Sequence, residues 1–184
     1  MQAAATIRLT VDRIPMELFA PVFGMGVGIP IPIGITLKQL LCDQLGMPEA
    51  YLENRIQTIL VNGHAVDQVD RLALADGDVI ALSAAMPGLA GAILRKGGAL
   101  SPMRAAISQA PTEAGRSVRD RGIVKLKLFN MVAKEMGPQL LAGGIWLEGK
   151  AWGPLAAELD EGRGGSAQIH PDSWVEVFVT ASTG

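Results

Sequence analysis

The chain is short of the residue types that most often carry chemistry. It has one cysteine, Cys42, and so no internal disulfide, as expected of a protein kept in a reducing cytoplasm. Its two histidines, His64 and His170, are far apart and next to no acidic cluster or second thiol. A zinc site takes three or four ligands, and the sequence does not assemble them, so neither a metal nor another cofactor is expected. Charged residues make up 18% and the net charge is −2. That excludes the strong one-sign field that draws proteins to nucleic acid or to a membrane surface. The start, MQAAATIRLTVDR, lacks a cationic segment followed by an apolar run, so no signal peptide is expected. Aromatics are only 4%.

What is abundant is small and branched apolar side chains. Mean hydropathy is +0.29, so the chain must bury much of its surface internally or share it with a partner. Leu18 to Leu37 carries no charge and has the length of a membrane span. Three prolines and four glycines within it would break a spanning helix, and no membrane association is expected.

Thr6 to Asp12 alternates, with Ile7, Leu9 and Val11 on one face, and reads as a half-buried strand. Val27 to Ile33 alternates too. Pro30 and Pro32 lie two apart, so their missing N–H groups fall on one edge, while Ile29, Ile31 and Ile33 keep donors on the other. This describes an edge strand paired on one side. Thr36 and Gln39 form a T-x-x-Q capping box for a helix with Leu37, Leu40, Leu41 and Leu45 on one face, ended by Gly46 and Pro48. Glu49 to Arg55 reads as a loop. Gln57 to Val61 is a strand, Asn62-Gly63 a type I′ turn, His64 to Val66 the return, and Asp76-Gly77-Asp78 turns into the strand Val79 to Ser83.

The run ILVNGHAVDQVDRLALADGDVIALSAAMPG, Ile59 to Gly88, resembles the C-terminal half of the sulfur carriers of molybdopterin and thiamine biosynthesis, the MoaD/ThiS family. The resemblance implies a ubiquitin-like β-grasp fold, α+β, with a mixed sheet packed on one helix. A second run, IVKLKLFNMVAKEMGPQLLAGGIWLEGKAWGPLAAELDEG, resembles the N-terminal half of the same family. Within it Asn130 to Met136 reads as a helix closed by Gly137-Pro138, Ile145 to Glu148 as a strand, and Gly153-Pro154 as the start of another helix. Ser173 to Thr180 is strand-like. The expected organisation is a complete β-grasp domain over 1–95, a linker over 96–121 and a partial second β-grasp-like region over 122–184. From Arg95 to Arg121 six cationic residues face Glu113 and Asp120, which reads as a solvated linker.

The family's chemistry sits on a free terminal Gly-Gly, adenylated by an E1-like activating enzyme. Three places compare with it: Pro87-Gly88, where Leu89 replaces the second glycine; Leu94-Arg95-Lys96-Gly97-Gly98, which needs cleavage to free Gly98; and the final Ser-Thr-Gly184. None matches the pattern, and turn or linker glycines account for all three. Gly24-x-Gly26-x-Gly28 lacks the strand-before, helix-after context of a phosphate loop. It reads as a hairpin tip whose residues Phe19, Val22, Phe23, Met25 and Val27 either fold back onto the second region or contact a partner. Cys42 reads as a packed side chain, His64 as a surface residue, and Trp146, Trp174 and Trp152 as core or interface. The expected function is a non-catalytic β-grasp protein acting through protein–protein contacts, as a homo-oligomer. The alternative is a carrier or modifier precursor cleaved after Gly98. A weaker one is a small-molecule binder or enzyme using an interdomain groove, which no acid–base pair supports.

Overall fold

The computed structural model describes residues 3–85, 120–159 and 169–182. In chain order they form β1 (Ala5–Val11), α1 (Met16–Met25), β2 (Val27–Pro32), the π-helical α2 (Gln39–Gln44), α3 (Glu49–Asn54), β3 (Thr58–Val61), β4 (His64–Ala65) and β5 (Val79–Ser83). Then come β6 (Arg121–Phe129), α4 (Met131–Gly143), β7 (Ile145–Glu148), α5 (Gly149–Leu159) and β8 (Trp174–Ala181). The strands make one mixed eight-stranded sheet in the order β1-β8-β7-β2-β6-β5-β3-β4. Pairing is parallel at β1–β8 and β5–β6 and antiparallel elsewhere. The protein is α+β.

Local signals that depend only on neighbouring residues hold. Thr36 N–H donates to Gln39 Oε1 at 2.8 Å and Gln39 N–H to Thr36 Oγ1 at 3.1 Å, the reciprocal capping box. Leu37, Leu40 and Leu41 of that helical segment are fully buried. Asn62 and Gly63 have φ of 52° and 81°, the two positive values a type I′ turn requires. The Asn62 side chain ties this hairpin to the Asp-Gly-Asp turn, donating to Asp78 Oδ1 at 2.8 Å and accepting from Val79 N–H at 2.9 Å. The same turn docks β6, because Ile123 N–H donates to Asp76 Oδ1 at 2.7 Å and Gly77 N–H to the Ile123 carbonyl at 2.9 Å.

Long-range pairing departs from expectation. β6, not β1, lies beside β2 and β5, and β1 pairs instead with β8 at the far edge. β1 and β6 carry the same alternation, so period alone does not choose their partners. β2 is therefore not an edge strand: β6 lies on one side of it and β7 on the other. Its two edges still behave as the prolines dictate. Ile33 N–H donates to Asp120 O at 2.9 Å on the β6 side. On the proline side β7 reaches β2 only at Gly28, and the free carbonyl of Pro30 accepts from Gln44 Nε2 at 2.7 Å. The expected single packed helix is also replaced by several.

Three helix boundaries move. Glu49–Asn54 is a helix rather than a loop, with Pro48 ahead of its first turn. α4 runs through Gly137-Pro138, because Gly137 is a packing site: an added Cβ would meet Met16 Cε at 2.5 Å and Phe23 Cε2 at 3.0 Å. α5 starts at Gly149, a turn before Pro154. The apolar face of the sheet is fully covered at its centre, where Val27, Ile29, Val124, Leu126, Val175 and Val177 lie, and only partly toward the β1 edge, at Ile7, Leu9 and Val11. Among the described residues no helix is long and apolar enough to cross a membrane. Leu18 to Leu37 is instead shared between α1 and β2.

Candidate functional site

Two surfaces combine charge with apolar area. The first is a groove of about 750 Å³ between α1 and α5. Its apolar walls come from Leu18, Pro21 and Met25 on α1 and Ala151, Pro154 and Leu155 on α5. Its polar end holds Lys125, Glu148 and Lys150. Glu148 accepts from Lys125 Nζ at 3.0 Å through Oε1 and from Lys150 Nζ at 2.5 Å through Oε2. Gly26 makes room for this cluster. It ends α1 with φ of 112°, and a Cβ there would meet Lys125 Cγ at 2.6 Å.

The cluster fixes protonation states. Hydrogen bonds from Lys150 and Lys125 hold the Glu148 carboxyl below the usual carboxylate range, and the Glu148 carboxylate raises Lys150. Glu148 and Lys150 stay charged near neutrality, so they suit binding rather than proton transfer. In the sequence Lys125 is one of two lysines alternating with Val124, Leu126 and Leu128, a strand pattern that does not say which carboxylate it meets. The local signal is Glu148-Gly149-Lys150, which sets two opposite charges at one strand end.

The second surface is the sheet face opposite the covered one. Register places Gly28, Trp146, Glu148, Trp174, Glu176 and Phe178 there, together with Lys125, Lys127 and Arg8. Trp146 and Trp174 sit with ring centroids 6.4 Å apart. Gly28 is what lets them close: a Cβ would lie 2.8 Å from Trp174 Cζ3 and 3.1 Å from Trp146 Cβ. Trp146 Nε1 donates to Glu176 Oε1 at 3.4 Å, and Thr6 Oγ1 donates to Glu176 Oε2 at 3.0 Å. The Arg8 guanidinium lies 4.6 Å from the Phe178 ring centroid, a cation–π contact. Trp174, Phe178, Lys125 and Lys127 remain half-exposed.

Comparison with protein-family models, with curated proteins and with solved structures finds no match.

The residues singled out by sequence are dispersed. Phe19, Val22, Phe23 and Val27 are buried inside the chain and only Met25, 59% exposed, reaches solvent. The expected hairpin tip is the helix α1, packed on α4 and β6, so these four cannot form an intersubunit patch in the folded chain. The fold-back alternative describes them. Gly88, Gly97, Gly98 and Gly184 lie outside the described residues. His64 is exposed on its hairpin. Cys42 is half-buried, and burial pushes its thiol up, away from nucleophilic character. No group of three or more metal-ligating side chains occurs among the described residues.

Proposed function

We propose that this is a non-catalytic protein related to the ubiquitin-like β-grasp carriers, acting through protein–protein contacts on its half-exposed sheet face. The observation that carries the reading is that face. It sets two tryptophans and a phenylalanine among cations, and aromatics and Arg are the residue types enriched where proteins bind one another. Arg8, Arg121, Lys125 and Lys127 against Glu148 and Glu176 leave it with two excess positive charges, which favours a partner with an acidic rim. The β-grasp relation is supported by the succession from β2 to β5: strand, helical segment, strand, short strand, strand. β6 then supplies the neighbour that β2 and β5 share.

The test is site-specific photo-crosslinking in the native host. A crosslinking residue at Lys127, on the face, is expected to give a discrete adduct. One at Glu53, on α3, is expected to give none. The Lys127 adduct should disappear in an Arg8→Glu background. Identical adduct patterns at both positions would remove the basis for the proposal.

A further inference from the structure

We propose that β1 is a dimerisation edge, on which two copies pair their β1 strands antiparallel about Leu9. This rests on the protein-contact reading above and deepens it by naming a second copy as one partner. β1 is the outermost strand of the sheet, and among the described residues nothing pairs with its outer edge. It is seven residues long and contains no proline. Natural edges of that length are normally blunted by proline, bulges or charged side chains; β1 has no proline and no bulge, and its one charge, Arg8, lies on the outer sheet face over the Phe178 ring rather than toward the apolar face.

The hydrogen-bonding parity is fixed by β8. Ala4 N–H donates to the Trp174 carbonyl at 2.8 Å, and Ser182 N–H donates to the Val11 carbonyl at 2.8 Å. Even-numbered residues of β8 therefore face β1. With Ala5 in register with Val175, the odd-numbered residues of β1 hold β8. Thr6, Arg8 and Thr10 turn their N–H and C=O groups outward. A second β1 must pair through those same residues.

Parity leaves few two-fold registers. Centring on Thr6 or Ile7 brings Ala4 opposite Arg8 or Thr10, but the Ala4 N–H is already held by the Trp174 carbonyl at 2.8 Å. Centring on Arg8 sets two guanidinium groups directly opposite, which is destabilising. Centring on Thr10 pairs Arg8 with Asp12 but shortens the overlap, because β1 ends at Val11. Centring on Leu9 overlaps the strands over Ile7 to Val11, pairs Arg8 with Thr10 and brings Thr6 to Asp12 just past the strand end, with no like charges opposed. On the apolar face it sets Leu9 against Leu9 and Ile7 against Val11. Those side chains are only partly buried within one copy, and the partner's row would complete their cover. The contact is isologous, so it closes at two copies.

Leu9–Leu9 is then a non-hydrogen-bonded antiparallel pair, with Cα atoms about 4.5 Å apart, inside the range a disulfide spans. In a Cys42→Ser background, Leu9→Cys is expected to form a disulfide dimer under mild oxidation. Ile7→Cys should cross-link only when mixed with Val11→Cys. Wild-type protein should sediment as a dimer. Thr10→Pro, which removes an outward N–H that β8 does not use, should sediment as a folded monomer. A monomeric wild type, or absence of the Leu9→Cys cross-link, would overturn the inference. If the wild type and Thr10→Pro are both dimeric and Leu9→Cys stays reduced, the edge is wrong while the protein-contact reading stands, because its own crosslinking test uses a different face.

Discussion

The chain's single tyrosine offers a residue-scale test. Tyr51 OH donates to Glu135 Oε2 at 2.5 Å, and Arg55 binds the same carboxylate through Nε at 3.0 Å and Nη2 at 2.5 Å, tying α3 to α4. Burial, then the bond to Glu135, pushes the Tyr51 phenol up to about 12, and the bonds from Arg55 and Tyr51 hold Glu135 down at about 2. Glu135 is depressed in the folded state, so its contribution is complete above the unfolded carboxylate range. It fades as pH falls toward about 2. Tyr51 is raised, so its contribution is complete below the ordinary phenol value and is lost as pH rises through about 12. Ultraviolet titration of wild-type protein is expected to show one tyrosine midpoint near 12. Glu135→Gln should move it part of the way back toward 10, only part because burial is the larger cause. An unmoved midpoint would mean that the tie does not form in solution. This triad was not legible in the sequence. Tyr51 and Arg55 fall in a stretch read as a loop, and Glu135 lies eighty residues beyond Arg55, a separation no local pattern spans. The capping box and the Asn-Gly turn were legible because their partners are three residues apart or fewer.

At the scale of elements, the same glycine and proline letters served different ends. Gly137-Pro138 has the form of a helix stop, yet α4 continues for another turn. A stop signal is a weak local preference. Here it yields to the packing of α1, whose Phe23 comes closer to α4 than a side chain at position 137 would permit. Gly137→Ala sets two effects against each other. Alanine gains about 1 kcal/mol in helix propensity, while overpacking a full core costs about 1–3 kcal/mol. Met16 can swing aside, but the Phe23 ring is fully buried and cannot. A net loss of about 1 kcal/mol is expected, read as a lower denaturation midpoint with unchanged slope. Gly153→Ala is the control. Nothing lies within 4 Å of a Cβ there, so propensity alone should act and the midpoint should hold or rise. The proline pair in β2 was read correctly for what it does to its own edges and wrongly for its place in the sheet. A missing N–H is written in the sequence, whereas the strand that lies opposite is not.

For the whole molecule, the interleaving of strands governs what can fold alone. β2 and β5 do not pair with each other; β6, which lies after residue 98, joins them. Among the described residues β1 likewise has no neighbouring strand but β8. A fragment of residues 1–98 is therefore expected to lack cooperative unfolding and dispersed amide resonances. The full chain cut after Gly98 should elute as one particle in native buffer and separate only in denaturant. A cooperatively folded 1–98 fragment would show that the central strand is dispensable. The outcome also fixes how the cleaved-carrier alternative must be examined. Its glycine carboxylate would need to be presented by the nicked, still assembled protein, because the short fragment lacks the strand that joins β2 to β5. Two resemblances in sequence thus pointed to two folding units, while the pairing of their strands makes one sheet.

The β1–β8 pairing also sets a clock. Ala5 stands opposite Val175, so β1 leaves the ribosome long before the strand it pairs with. At the usual rate of about 5–20 residues per second, that wait is roughly ten to thirty seconds. Throughout it Ile7, Leu9 and Val11 have neither a strand beside them nor a sheet beneath them. The newest chain is thus at its stickiest while many copies are being made along one message, and the arrival of β8 is what ends the exposure.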